Sequence, residues 1–97
     1  MYAQVVRASV QPGKIDELIT IFRDGVIPAA LVAPGFRKAF MFVDRASNRG
    51  MGVSLWETEA DVTALATSGF YQEQVGKLAG VLAEQPDRGV YELVFEA

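Results

Sequence analysis

Apolar and polar positions repeat with two different periods along this chain, and the switches between them mark its elements. Ala3 to Val10 is dominated by β-branched and apolar residues and is cut off by Gln11-Pro12-Gly13, which predicts a strand followed by a tight turn. From Lys14 onward Ile15, Leu18, Ile19 and Phe22 recur at helical spacing, while Asp16, Glu17, Arg23 and Asp24 fall on the other side. Pro28 has no N–H and its ring crowds the preceding turn, so this amphipathic helix is expected to kink or break there, with a short continuation through Ala29 to Val32. Phe36 to Val43 and Met51 to Glu57 are apolar runs separated by the polar segment Asp44 to Gly50, and read as a hairpin with a long tip. Thr58 and Asp61 have capping-box spacing, which starts a second helix directly after Trp56-Glu57. That helix is expected to reach about Thr67, to be interrupted at Ser68-Gly69, and to continue through Phe70, Val75, Leu78 and Leu82 until Gln85-Pro86-Asp87-Arg88-Gly89 closes it. Val90 to Glu96 is the last predicted strand.

The order strand, helix, strand, strand, helix, strand predicts a single α+β domain over residues 1–97, with the ferredoxin-like β-α-β-β-α-β topology. Right-handed crossovers put both helices on one face of a four-stranded antiparallel sheet. The other face should be polar in a monomer, and the sequence says otherwise. The second strand sets Phe36, Lys38, Phe40 and Phe42 against Arg37, Ala39, Met41 and Val43. The third opposes Met51, Val53 and Leu55 to Gly52, Ser54 and Trp56, and the fourth opposes Tyr91, Leu93 and Phe95 to Val90, Glu92 and Val94. Both faces need cover, so a homodimer joined through the open sheet face is expected. A one-residue bulge in the third strand would exchange the two sets.

Composition removes more chemistry than any motif adds. With 97 residues, 51% of them hydrophobic, the chain makes one domain that buries only roughly two-thirds of its unfolded surface. It has no cysteine and no histidine, which takes away disulfides, thiolate nucleophiles, imidazole bases and the usual zinc and haem ligands. A net charge of -3 without a basic cluster gives no footprint for nucleic acid or an anionic membrane. No membrane span or secretory signal is visible, so a cytoplasmic location is expected, with no metal and no cofactor.

The stretch Gly50 to Asp61, in which M-G-V-S-L-W-E-T-E-A-D follows the glycine, and Pro34-Gly35-Phe36 before it resemble the signature of the antibiotic biosynthesis monooxygenase (ABM) family, over nearly the whole chain. The resemblance implies a dimeric α/β barrel whose ligand pocket lies between sheet and helices, with Trp56 pointing into it. Some members degrade haem with a strand asparagine, the tryptophan and a helix histidine. Those partners map near Val6 and Val75, which leaves only Trp56 and argues against haem degradation. Other members oxygenate phenols to quinones without metal or flavin, favouring the substrate's anion, which passes an electron to dioxygen. That subgroup carries an asparagine on the strand face shortly before the tryptophan, where this chain has Gly52.

Such an enzyme needs an apolar enclosure, a group that stabilises a phenolate and a polar proton relay. Trp56, Tyr71 and Arg37 are the candidate catalytic residues, with Ser54, Gly52, Phe22 and Phe70 as candidate substrate contacts. Each has a plainer account: Trp56 as a core anchor, Tyr71 as a core ring, and Arg37 as a rim cation lying over apolar neighbours. Asn48 suits the hairpin tip, and Glu57, Glu59 and Asp61 oppose a helix dipole without needing a metal. Two functions follow. One is a cofactor-independent monooxygenase acting on a small aromatic or quinol-type compound. The other is a non-catalytic barrel that binds a small apolar ligand or serves as a scaffold.

Overall fold

The computed structural model describes residues 1–97. Strand β1 (Tyr2–Ser9) leads to helix α1 (Ile15–Ile21), a π-helical turn (Phe22–Val26) and helix α2 (Ile27–Leu31). The hairpin β2 (Phe36–Asp44) and β3 (Arg49–Trp56) follows, then helices α3 (Glu59–Thr67) and α4 (Phe70–Leu78) and strand β4 (Asp87–Glu92). The four strands form an antiparallel sheet in the order β2-β3-β1-β4, which is the ferredoxin-like α+β topology. The helices lie on one face. Their buried residues form two clusters, one around Leu18 and Val81 and the other around Trp56, Val62 and Leu65.

Several elements differ from the sequence expectation, each for a physical reason. Pro28 does not break the first helix. The Ile27 N–H reaches back to the Phe22 carbonyl, a five-residue spacing, and this wider turn delivers Pro28 into the first turn of α2, where no N–H is required. The last helix stops at Leu78, ahead of Gly80, and Leu82 instead bridges Val10. Val81 and Leu82 are thereby buried against α1, a larger gain than another turn of exposed helix. Strand β4 begins at Asp87 and ends at Glu92, where its partner β1 runs out at Tyr2. Leu93 keeps one backbone bond, to the Met1 carbonyl, and Val94 and Phe95 are exposed.

The bulge lies in β2. Phe36 pairs with Trp56 and Lys38 with Leu55, which leaves Arg37 as the extra residue. This moves Phe36 to the helix side with Ala39, Met41 and Val43, and its ring meets Trp56 edge-on at 5.4 Å. Lys38, Phe40 and Phe42 stay on the open face with Met51, Val53 and Leu55. Phe40 and Phe42 stack on each other and are 44% and 52% exposed, with Tyr91 at 49%, so the open face is apolar and uncovered.

The junction between β2 and α3 is built as one unit. Thr58 and Asp61 make the reciprocal capping box at the start of α3, and the Glu57 N–H donates to the Gly35 carbonyl at 2.9 Å. Gly35 has φ +82°, and a Cβ there would collide with the Asp61 carboxyl. Left-handed strain and the collision act together, so Gly35→Ala is expected to destabilise the fold by about 3 kcal/mol. Gly76→Ala, on open helix surface with nothing near its Cβ, is expected to stabilise it by about 0.5–1 kcal/mol. Urea denaturation of both variants checks the contrast.

Candidate active site

A cavity of about 100 Å³ lies between the sheet and the helices. Inward positions of β3 form its floor, and helix residues such as Phe22, Ile27 and Leu78 form its roof. Glycines on β3 set the depth. A Cβ on Gly50 would stand 2.9 Å from Leu18 Cδ2, and one on Gly52 would stand 3.4 Å from Phe22 Cε2, so both side chains sink onto bare backbone. The space over Gly52 is therefore filled by the Phe22 ring. Beyond Phe22 an open groove of about 500 Å³ runs along β2, and Phe22, Ile27, Ala39 and Met41 border both spaces.

Trp56, Tyr71, Ser54, Gly52, Phe22 and Phe70 all line this cavity. Arg37 does not. It sits on the bulge, exposed, and donates through Nη2 to Glu57 Oε1 at 2.8 Å, across the Gly35–Glu57 junction. The bulge turns it away from the floor, as the rim account of this residue describes.

Trp56 is 1% exposed, packed against Val62 and Leu65, and its Nε1–H donates to Ser54 Oγ at 2.9 Å. Its only polar atom is thus satisfied inside the protein, and the indole holds the serine hydroxyl in place. Burial pushes the Tyr71 phenol above its ordinary pKa, against the opposing pull of Arg88, whose guanidinium carbon stands 5.4 Å from the Tyr71 ring centroid. Tyr71 is accordingly a neutral hydroxyl at pH 7 and serves as a proton donor better than as a base. No three acidic side chains converge in a metal-binding cluster.

Two glutamines complete the polar lining. Gln4, on β1 directly opposite Ser54, accepts from Arg88 Nε at 2.6 Å, and Arg88 Nη2 also reaches the Val62 carbonyl at 3.2 Å. Gln74, on α4, is 7% exposed and accepts from Lys77 Nζ at 2.8 Å, while Lys77 also bonds the Gly25 carbonyl in the π-helical turn. The sequence reading missed all four. Gln74 has a signal, because it interrupts the Phe70, Leu78 stripe at helical spacing. So does Gln4, on the same strand face as Tyr2 and Val6.

The family model for antibiotic biosynthesis monooxygenases matches residues 1–77. The chain belongs to that family. Solved structures agree on the fold across almost the entire chain. The monooxygenase ActVA-Orf6 of Streptomyces coelicolor, solved with the ligand nanaomycin D, superposes with a TM-score of 0.81 at 17% identity, covering 99% of this chain and 89% of its own. SnoaB, a cofactor-independent oxygenase from Streptomyces nogalater, gives 0.78 at 14% identity over 98% and 94%. NE2512 from Nitrosomonas europaea, a protein of unknown function, gives 0.77 at 20% identity over 99% and 91%. No curated protein matches the chain in sequence.

Within this ABM domain the raised Tyr71 pKa carries a stability consequence. The folded state holds the phenol proton more tightly than the unfolded chain does. The associated stability is therefore complete below the ordinary tyrosine value and is lost as pH rises past it toward the folded value. Tyr71→Phe is expected to flatten the alkaline limb of the stability–pH curve, measured by urea denaturation at stepped alkaline pH. An unchanged limb would mean that Tyr71 is not desolvated.

Proposed function

We propose that this chain is a cofactor-independent monooxygenase acting on a small aromatic or quinol-type compound. The observation that carries the proposal is the half-open, mostly apolar cavity beside Trp56, whose few polar groups are Ser54, Tyr71, Gln4 and Gln74, in a chain of a monooxygenase family. For an anthrone-type substrate the overall change is balanced: a ring CH₂ and O₂ become a ring C=O and H₂O. The substrate's own anion supplies the electrons, so the protein has to bind, orient and favour that anion in a dry site. Trp56 fixes Ser54, and in this reading Tyr71 returns a proton to the departing oxygen. Gly52, Phe22 and Phe70 are substrate contacts in this reading, while Arg37 is a rim residue.

The assembly we propose is a cytoplasmic homodimer joined through the open sheet face. Phe40, Phe42 and Tyr91 offer an uncovered aromatic surface there, and covering it with a second copy hides both apolar patches at once.

One observation favours the second reading, a non-catalytic barrel binding a small apolar ligand or serving as a scaffold. The cavity is about 100 Å³, whereas ligand pockets commonly run from roughly 300 Å³ upward, and Phe22 fills the place over Gly52. Oxygen uptake with a panel of anthrones and hydroquinones separates the two. The monooxygenase reading expects uptake above buffer with stoichiometric quinone, lowered roughly a hundredfold by Tyr71→Phe and by Ser54→Ala. No uptake across the panel leaves the binding protein.

Dimerisation is tested apart from activity. Light scattering is expected to report twice the 10.5 kDa chain mass, and Phe42→Lys is expected to shift the particle to a monomer. A wild-type monomer at micromolar concentration would sink the assembly.

A further inference from the structure

The polar atoms lining the cavity share a property that follows from what holds them. Gln4, Gln74 and Ser54 each bring an acceptor oxygen, and each oxygen is engaged by a group that can only donate: Arg88 Nε, Lys77 Nζ and Trp56 Nε1 respectively. A guanidinium or an ammonium cannot face an amide NH₂. The amide orientations are therefore dictated by chemistry: in both glutamines Oε1 points at the cation and Nε2 points away from it. Neither Nε2 has a partner in the protein, and both residues line the cavity. Gln74 is the only buried polar side chain of the fold, at 7% exposure, and since no buried side-chain nitrogen or oxygen lacks a partner, its Nε2 keeps access to open space, where a ligand oxygen can take the place of water.

Ser54 obeys the same logic. Its Oγ accepts from the indole, which leaves the hydroxyl hydrogen free, and Gln4 stands directly across the sheet on the same face. Tyr71 adds a neutral hydroxyl to the same wall.

We infer that the cavity is a donor-lined site in which Lys77 and Arg88 act as positioning residues, locking the Gln74 and Gln4 amides so that their N–H₂ groups receive an oxygen-acceptor ligand, a phenolate or a quinone carbonyl. The inference rests on the cavity being a ligand site and names the chemistry it selects. Both cations lie behind an amide rather than against the ligand. They polarise the N–H₂ groups through the C=O they hold, and they bind no substrate themselves. Lys77 also ties Gln74 to the Gly25 carbonyl, so the lock spans α4 and the π-helical turn that carries Phe22. A ligand that presents only N–H donors has to share oxygens already engaged by Arg88, Lys77 and Trp56, and finds no complement to the free N–H₂ groups.

The test uses binding, not turnover, with three single-ring probes that share a nitro group and differ opposite it: 4-nitrophenolate, 4-nitrotoluene and 4-nitroaniline. Quenching of the only tryptophan, Trp56, reads the affinity at a pH where the phenol is ionised. The phenolate is expected to bind roughly ten- to a hundredfold more tightly than the other two. Lys77→Met and Gln74→Met are each expected to remove about tenfold of that preference while leaving 4-nitrotoluene unchanged, and Lys77→Arg is expected to retain most of it. Equal affinity for phenolate and nitroaniline overturns the inference while leaving a ligand site. A loss in Lys77→Met without one in Gln74→Met also overturns it, because the ammonium field then acts directly. If Lys77→Met fails to fold, Gln74→Met decides alone. Binding of none of the three overturns the ligand-site reading and the inference with it.

Discussion

The fold turns on one close contact, the approach of the Gly35 backbone to the Asp61 carboxyl. Asp61 completes the capping box that starts α3, and Gly35 accepts the Glu57 N–H, so the end of β3, the start of α3 and the entry to β2 are tied at one point. Phe36 follows at once, and the Arg37 bulge turns its ring inward against Trp56. Because Trp56 is clamped between that ring and the Val62, Leu65 pair, its N–H has a single direction and Ser54 Oγ is what it meets. The two short motifs by which the family is recognised are thus opposite sides of one junction. Its consequence for function is an indole that cannot swing, with a hydroxyl fixed beside it.

The cavity shows how a small domain carries polar groups in its interior without burying charge. A cation set directly in an apolar space of this size would lose most of its hydration, a cost of several kcal/mol or more. Here Arg88 and Lys77 remain at the edge, where water and carbonyls of Val62 and Gly25 satisfy them, and neutral amides reach inward. The field of each cation is passed on through a hydrogen bond, at the smaller cost of burying an amide. Tyr71 responds to the same surroundings, its phenol pKa raised by burial although Arg88 pulls the other way.

How far the chain could be read follows from which forces are local. The capping box and the turn role of Asn48 at the hairpin tip depend on neighbours within a few residues, and the sequence showed them. The inward set of β3, Gly52, Ser54 and Trp56, follows from alternation alone and lies toward the helices as expected. What was not legible is set by partners distant in sequence. Strand β4 is as long as β1 permits, and Asp87-Arg88-Gly89 looks like a turn until Gln4 and Val62 are beside it. Arg37 looked like the cation of the site because alternation put it with Ala39 and Met41. The bulge at its own position undid that alternation, and Arg37 pairs with Glu57 at the surface instead.

Phe22 is one of four residues at which the cavity and the neighbouring groove meet. Alternate residues of β3 are glycine on the inner face, and Gly50 and Gly52 let Leu18 and Phe22 rest on the strand backbone, which brings α1 and the π-helical turn close to the sheet at that end. At the other end Ser54 and Trp56 carry larger side chains and line the same cavity. Phe22 divides this volume from the groove along β2, since its ring borders both. It sits at the start of the π-helical turn. The volume between sheet and helices thus reflects how far the Leu18 and Phe22 side chains sink onto the glycines of β3 as well as the spacing between the layers.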